Sequence, residues 1–426
     1  MTGERPLILL LTAFTAVIGF LTAAAPAFGA GKEKVLHSFQ SNGRGGQYPT
    51  AGLIFDSDGN LYGTTAGGGA YDYGTVFRVA RGANGTWTET VLHSFDFRHG
   101  AYPYSSLVFD AAGNLYGTTL GGGDPHCLSA GCGTVFELRP KPGGGFEERV
   151  LYRFYNGKDG LAPYAGVILD ATGNLYGTTF YGGADGVGTV FELTPSVGGG
   201  WRERVLHNFN NNGKDGYHSA AGLIMDAAGN LYGTTTQGGT YDSGTVFQLT
   251  PTVGGSWTEK VLYSFNNRND GFSPYAGLVV DAAGNLYGMA LYGGAYHEGT
   301  VFELMPQADG GWTETVLHDF GDKNDDGALP GASLTFDAVG NLYGPTVGGG
   351  TYGYGTVFKL TPRTGGGWSE RVLHSFNNNR RDGTDPSVDL IFDSAGNLYG
   401  TTYYGGSGTC NDGVGMGCGS VFEITP

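Results

Sequence analysis

A few residues of this chain have both the type and the spacing that ligand binding would require. Tyr104, Tyr164 and Tyr275 follow a recurring proline at one repeated position, and their aromatic faces are suited to stacking on sugar rings. Asp389 stands at a position that holds Gly or Ser in six other copies of the same repeat. We predict that these four residues contribute to a ligand-binding site. The alternative is that the tyrosines only cap glycine-rich loops.

An oxygen-rich loop suggests a second kind of site, for calcium. The segment 322–327 (DKNDDG) matches the opening of a calcium-binding loop, in which Asp322, Asn324 and Asp326 would be ligands. The match is incomplete, because Ser333 stands where such a loop carries a bidentate Glu. Similar runs of Asn, Asp and Gly recur in other copies, so these residues could equally serve only to form turns.

The four cysteines form two local pairs, Cys127 with Cys132 and Cys410 with Cys418. Each pair lies in an insertion that lengthens the same loop of its repeat. We predict two disulfides, since an exported protein would favour them, with four free thiols as the alternative. Zinc binding is not indicated, because the spacings are not those of zinc ligands and only one pair has a neighbouring histidine, His126.

Signatures of catalysis are missing from the sequence. It contains no Ser-His-Asp arrangement, G-x-S-x-G motif, phosphate-binding loop or unique carboxylate pair. The net charge of −16, without a basic stripe, argues against a nucleic-acid partner. Five histidines share one strand position, which holds tyrosine in two other copies, and this predicts packing between repeats. They are His37, His93, His207, His318 and His374.

All these residues are positioned by an internal repeat. Its core, D-x-x-G-N-L-Y-G, recurs at spacings of 54 to 60 residues. Each copy has four short segments rich in β-branched and aromatic residues, which predicts a four-stranded antiparallel sheet. Seven such units favour an all-β, seven-bladed β-propeller over a parallel β-helix, whose turns would be nearer 20 residues long. The repeated asparagine is found at Asn60, Asn114, Asn174, Asn230, Asn285, Asn341 and Asn397.

The two ends of the chain make this prediction specific. The last copy stops after its third strand, and residues 33–39 (EKVLHSF) match the missing fourth strand. We therefore predict that this N-terminal strand pairs with residues 421–424 and closes the ring. The first strand of each copy would line the axis. The linkers between copies and the loops between second and third strands would share one face.

The first 30 residues differ from the rest. An apolar run from Pro6 to about Ala25 precedes small-residue cleavage patterns, which predicts a signal peptide over residues 1–30. An uncleaved membrane anchor is the alternative. Residues 31–426 would then form a single propeller domain without a membrane span. We expect a secreted monomer, extracellular or periplasmic.

The unit N-L-Y-G-T-T, followed by G-G and G-T-V-F-E-L, resembles the GloVer tandem repeat over residues 33–426. The resemblance implies a bacterial protein of a choice-of-anchor group, exported and built from repeats. It implies no activity and supplies no catalytic residues.

We interpret the chain as a secreted or cell-surface, non-catalytic binding module. Its ligand would be a polysaccharide or glycan, with a surface protein as the other partner class. The alternative is a polysaccharide lyase or hydrolase, calcium-assisted, that uses the axial mouth of the propeller.

Overall fold

Repeated runs of β-branched and aromatic residues give each copy of the repeat four antiparallel strands. The computed structural model describes residues 31–125, 127, 130–155, 157–410 and 416–426. These residues form a seven-bladed, all-β propeller, as predicted. The predicted signal peptide and His126 lie outside the described residues. No helix of the described residues is long and apolar enough to cross a membrane.

The strands of the blades run outward from the axis in chain order. The innermost strands are Ile54–Phe55, Val108–Phe109, Ile168–Leu169, Ile224–Met225, Val279–Val280, Thr335–Phe336 and Ile391–Phe392. The second strands are Leu61–Gly68, Leu115–Thr119, Leu175–Thr179, Leu231–Thr235, Leu286–Ala290, Leu342–Thr346 and Leu398–Thr402. The third strands are Thr75–Arg81, Thr134–Pro140, Thr189–Pro195, Thr245–Pro251, Thr300–Pro306, Thr356–Pro362 and Ser420–Thr425. The outermost strands are Trp87–Ser94, Phe146–Arg153, Trp201–Asn208, Trp257–Ser264, Trp312–Asp319, Trp368–Ser375 and, in the seventh blade, Lys32–Ser38.

The N-terminal strand closes the ring. Lys32–Ser38 pairs antiparallel with Ser420–Thr425, and the seventh sheet therefore joins the two ends of the described chain. Leu36 and Phe39 are buried in a core cluster that includes Val421. This confirms the predicted strand exchange.

Linkers and second-to-third loops lie on one face, which we call the linker face. In every blade the end of the linker pairs with the loop that follows the second strand. The paired segments are Gly46–Pro49 with Leu61–Gly68, Gly216–Tyr217 with Gln237–Gly238, Gly327–Ala328 with Gly348–Gly349, and Gly383–Thr384 with Tyr404–Gly405. Single bridges take their place in the other blades: Ala101 with Gly121, Leu161 with Tyr181, and Phe272 with Tyr292. The predicted arrangement of loops is thus confirmed.

The innermost strands are shorter than the apolar runs that predicted them. In the third blade the run covers residues 165–169, but only Ile168–Leu169 pairs with the second strand. The preceding carbonyls bond to the neighbouring blade instead. For example, the Thr178 hydroxyl donates to the Ala221 carbonyl at 3.0 Å, and the Thr234 hydroxyl donates to the Ala276 carbonyl at 3.0 Å. The repeated threonine therefore joins adjacent blades.

The repeated aspartate organises the turn opposite the linker face. The Asp226 carboxylate accepts bonds from the backbone N–H groups of Ala228 and Asn230, both at 2.9 Å. It also accepts from the Asn230 amide at 2.7 Å and from the Tyr232 hydroxyl at 3.0 Å. Burial raises the pKa of Asp226, but these hydrogen bonds outweigh burial, and the net result is a lowered pKa. The motif is structural, as expected from its recurrence.

Phenylalanine and glycine fit together in the blade core. Phe191 is fully buried, and a Cβ atom on Gly177 would lie 2.6 Å from its Cζ atom. No side chain fits at this glycine, because interior packing leaves no free space of that size.

Both predicted disulfides, Cys127–Cys132 and Cys410–Cys418, are present.

Candidate functional site

A cavity of about 890 Å³ opens along the propeller axis and is lined by residues of every blade. Each linker approaches the axis in an extended segment whose alternate side chains face the channel. In the second blade Tyr102, Tyr104 and Ser106 are partly exposed, whereas the residues between them are buried. In the other six blades, the position of Tyr104 is occupied by Thr50, Tyr164, Ala220, Tyr275, Gly331 and Ser387. The position of Ser106 is occupied by Gly52, Gly166, Gly222, Gly277, Ser333 and Asp389. Val108, Ile168, Ile224, Val279 and Thr335 line its deeper part.

Seven residues share an unusual backbone conformation two positions before the linker residues that line the cavity, and we call them the mouth ring; two of them, Leu329 and Asp385, line the cavity themselves. Each has a positive φ between 57° and 61°, although none is glycine. Such a conformation costs free energy for an L-residue and persists only where the surroundings hold it. The mouth ring consists of Tyr48, Tyr102, Ala162, His218, Ser273, Leu329 and Asp385.

The scaffold holds the mouth ring through its main chain. The N–H group of His218 donates to the Val187 carbonyl of the preceding blade at 3.0 Å, and its carbonyl accepts from the Thr236 N–H group at 3.1 Å. The N–H groups of the other mouth-ring residues donate to the preceding blade in the same way. Because the backbone is fixed by these bonds, the side chain at each position is free to vary, and it does.

Aromatic residues line one side of the entrance. The rings of Tyr48 and Tyr403 stack at 5.3 Å, and Tyr403 is hydrogen-bonded to Tyr104. Tyr104 lies 6.1 Å from Tyr164, whose ring contacts Phe180 at 5.1 Å. We call these five residues the aromatic sector. Burial raises the pKa of Tyr403 above its ordinary value, and the nearby phenols of Tyr104 and Tyr404 raise it further. The phenol of Tyr403 therefore remains protonated.

The rest of the cavity wall is lined by a further tyrosine and by aliphatic side chains. Tyr275 stands apart from the aromatic sector, and burial raises its pKa to about 12. Aliphatic side chains from the fifth and sixth blades, Leu291, Leu329 and Val347, complete the wall. The cavity is therefore mainly apolar and carries phenol groups that can donate hydrogen bonds.

Two carboxyl groups of the seventh blade enter the same cavity. Asp389 accepts a 2.6 Å hydrogen bond from the Ser333 N–H group. Burial raises the pKa of Asp389, against the opposing effect of hydrogen bonds from Ser333. Asp385, in the mouth ring, has its pKa raised to about 6 by burial. Both side chains retain some exposure to the cavity.

The structure brings together all four residues that the sequence analysis predicted for ligand binding. Tyr104, Tyr164, Tyr275 and Asp389 line the axial cavity, and ligand binding by them stays a prediction. The sequence analysis missed Asp385. The available signal was that this residue precedes the recurring proline, at a position that is acidic only in the seventh copy.

The predicted calcium loop lies on a linker, away from the axial cavity lining. Asp326 is buried, and its carboxylate accepts from the N–H groups of Gly321 at 2.8 Å and Gly327 at 2.7 Å. Asp322 and Asn324 are exposed. The Asp326 carboxylate therefore serves the turn, and calcium binding by these three residues stays a prediction.

The fold resembles that of solved structures of low sequence identity. A candidate 6-phosphogluconolactonase from Bacteroides uniformis ATCC 8492 is similar over 93% of this chain and 100% of its own, with a TM-score of 0.52 and 12% identity. An ancestral GH74 enzyme is similar over 93% of this chain and 51% of its own, with a TM-score of 0.55 and 11% identity. At these identities the likeness shows the fold alone. No curated protein matches the chain in sequence.

The family comparison covers the repeats along the chain. The model of the Gloeobacter/Verrucomicrobia repeat matches residues 18–127, 125–344 and 313–426. This confirms the resemblance that the repeated N-L-Y-G-T-T unit indicated. The chain belongs to the Gloeobacter/Verrucomicrobia repeat family.

Proposed function

We propose that the axial cavity binds a neutral saccharide and that the protein is a non-catalytic binding module. The observation that carries this proposal is that three members of the aromatic sector line the same cavity as two carboxyl groups; they are Tyr104, Tyr164 and Tyr403. Aromatic faces can stack on the apolar faces of sugar rings, while carboxylates and phenols bond to the hydroxyl groups. A volume of about 890 Å³ lies within the range of roughly 300–1,000 Å³ typical of ligand pockets.

Charge favours a neutral ligand over an anionic one. The chain has a net charge of −16, and the titratable groups in the described cavity lining are tyrosines and the two aspartates. An anionic sugar would meet repulsion without a cationic partner. Neutral oligosaccharides should therefore bind more tightly than uronic-acid oligomers.

The engagement of one carboxyl group favours binding over hydrolysis. Asp389 is held by a 2.6 Å hydrogen bond from the Ser333 N–H group, whereas glycoside hydrolases use two carboxyl groups, about 5 to 9.5 Å apart, that both act on the substrate. One observation supports the competing hydrolase function: the pKa of about 6 for Asp385 suits a general acid.

Export of the protein is part of this proposal. Two disulfides pin loops on the linker face, and such bonds are typical of proteins that leave the cytoplasm. A glycan would then be met outside the cell or in the periplasm.

Calorimetric titration with neutral hexasaccharides (cello-, xylo- and mannohexaose) and with oligogalacturonate tests the proposal. We expect binding of at least one neutral probe, weakened at least tenfold by Tyr164→Ala. Tyr352→Ala is the matched control, because Tyr352 is exposed and lies outside the cavity lining. Equal effects of the two substitutions, or no binding of any neutral probe, would overturn the proposal.

The competing function requires a separate assay. Release of reducing ends or unsaturated products from the same probes, abolished by Asp385→Asn, would establish an enzyme. Binding without turnover supports the proposal as stated.

A further inference from the structure

The outer rim of the propeller holds a polar cluster between each pair of neighbouring blades. A glutamate near the start of every outermost strand occupies one repeat position, and its carboxyl group approaches the preceding blade. In five of these places it lies near the strand histidine or tyrosine and an aspartate of the following linker, and Glu89 lies 3.4 Å from the strand histidine His37. We call each such group a rim cluster. The glutamates are Glu33, Glu89, Glu148, Glu203, Glu259, Glu314 and Glu370.

The linker aspartate is bonded to the strand residue in five rim clusters. The distances are 2.7 Å for Tyr152–Asp159, 3.0 Å for His207–Asp215, 2.8 Å for Tyr263–Asp270, 3.3 Å for His318–Asp326 and 3.1 Å for His374–Asp382. The histidines also pack edge-on against the phenylalanine two residues later, as in His207 and Phe209 at 5.0 Å. This ring contact is made within one copy of the repeat, so the predicted packing of the histidines between repeats stays a prediction.

The cluster between the third and fourth blades brings three potential metal ligands together. One side-chain donor atom each of His207, Asp215 and Glu259 lies within 4.8 Å of the other two. Asp215 is only 5% exposed, yet its Oδ1 atom has no hydrogen-bond partner among the described residues. The Oε1 atom of Glu259 is likewise buried and without a partner there. A cation, or a proton held by one of the carboxyl groups, would compensate these two buried oxygens.

The donor set is appropriate for a divalent transition metal ion. One imidazole nitrogen and two carboxylate oxygens are ligands that zinc accepts, and a water molecule can supply a fourth. Zinc holds its ligand atoms roughly 3.5 Å apart, and the donor atoms here lie within 4.8 Å of one another, so binding needs only a small adjustment of the side chains. The Nε2 atom of His207, now bonded to Asp215, would lose its proton to the solvent on binding.

The other rim clusters differ in ways that oppose a metal ion. Two carry tyrosine in place of histidine. In the cluster of His318 and Asp326, the Lys323 ammonium lies 3.6 Å from Glu370 and already supplies a positive charge. Among the described residues, one further cluster brings its ligand atoms equally close, and it is formed by Glu33, His374 and Asp382. There Asp382 Oδ1 accepts a bond from the Gly383 N–H group at 2.8 Å, which makes the carboxylate less available.

We propose that His207, Asp215 and Glu259 form a zinc-type metal site that joins the third and fourth blades, and that Glu33, His374 and Asp382 form a weaker second site. A bound ion neutralises two carboxylates in a poorly solvated position. It also ties an outermost strand to the next one, where few main-chain contacts exist. This site is separate from the axial cavity and does not depend on the proposed saccharide binding.

Titration of the chelator-treated full chain with Zn²⁺ by calorimetry, and with Co²⁺ by visible absorption, tests the site. We expect one tight and one weaker site, with a higher melting temperature in Zn²⁺. Loss of a residue that hydrogen-bonds to a metal ligand weakens metal binding roughly 10- to 100-fold. Glu259→Gln alters a ligand itself and should therefore weaken Zn²⁺ binding at the tight site at least tenfold.

Glu314→Gln provides the matched control. Glu314 occupies the same repeat position with a similarly buried carboxyl group, but it faces Tyr263 instead of a histidine. We expect this variant to bind Zn²⁺ as the parent does, with the metal-free melting temperature verifying the fold of both variants. Absence of Zn²⁺ and Co²⁺ binding to the parent, or equal losses in the two variants, would overturn the proposal.

Discussion

Val35 lies opposite Phe422 in the antiparallel ladder that joins the N-terminal strand to the seventh blade. This pairing converts an open row of blades into a ring, because the seventh sheet then has its full set of four strands. Every blade consequently has a neighbour on both sides. The axial cavity depends on this closure, since the first and seventh blades form adjoining parts of its wall.

Deletion of residues 31–39 should therefore destabilise the whole propeller. The deletion removes about five interstrand hydrogen bonds, each worth roughly 0.5–1.5 kcal/mol, and the burial of Leu36 and Phe39. We expect a large fall in melting temperature and aggregation through the uncovered edge of Ser420–Thr425. Calorimetry and size-exclusion chromatography measure both. Lys34→Ala, at a half-exposed position of the same strand, should have little effect, and a deletion variant as stable as the parent would contradict ring closure.

Asp226→Ala should destabilise the protein by about 2 kcal/mol, because four hydrogen bonds converge on this partly exposed carboxylate. Denaturant unfolding measures the change. Asp58→Ala is the control: Asp58 lies in an equivalent turn, but it is exposed and only its backbone N–H group is bonded to the repeated aspartate. The free energy of unfolding should fall clearly further in Asp226→Ala than in Asp58→Ala. Equal stability would show that the aspartate does not organise the turn.

Stability should fall as the pH rises from about 4.5 to about 7. Burial raises the pKa of Glu203 from 4.5 to about 7, and the nearby charge of Asp159 raises it further. Burial likewise raises the pKa of Glu314 to about 7, and the charges of Asp270 and Asp319 add to this increase. The folded state therefore binds protons more tightly than the unfolded state, and this contribution is complete below pH 4.5 and lost through pH 7. Melting temperatures across this range test the sign.

The double variant Glu203→Gln, Glu314→Gln should flatten part of that pH dependence. Glutamine preserves the shape and polarity of the side chain but cannot ionise. An unchanged slope between pH 5 and pH 7 in the double variant would assign the dependence to other groups.

Ala162→Gly should leave stability unchanged or raise it by up to about 1 kcal/mol. Ala162 has a φ of 57°, and glycine adopts this conformation without the cost that a Cβ atom imposes. Ala165→Gly is the control, because Ala165 is buried nearby with no positive φ and should lose about 1 kcal/mol. The melting temperatures of both variants show whether glycine is tolerated better at the position with positive φ than at the ordinary position. Destabilisation by both would show that Ala162 is not strained.

The fold could be predicted because its signals are repeated or local. The spacing of Asn60 and its six equivalents counts the blades, and the match of residues 33–39 to the fourth strand of the other copies identifies the role of Lys32–Ser38. The position of Tyr104, Tyr164 and Tyr275 beside the axis followed from strand order alone. These inferences need no knowledge of how one blade packs on the next.

Contacts between blades could not be predicted in this way. Glu259 and Asp215 come from different copies, and the sequence does not show that they meet. Nor does it show that Lys323 reaches Glu370 and thereby distinguishes one rim cluster from its neighbours. Asp385 was missed for a related reason. Its position looks like that of an ordinary linker residue until the structure shows that it lines the axial cavity.

The mouth ring has a consequence for how such proteins diversify. Its main chain is bonded identically whether the residue is Tyr, Ala, His, Ser, Leu or Asp. Point mutations there can accumulate after repeat duplication without a new scaffold having to evolve. Related proteins could thus acquire different specificities through one codon per copy, and a library randomised only at these seven codons would sample new recognition surfaces on an unaltered framework.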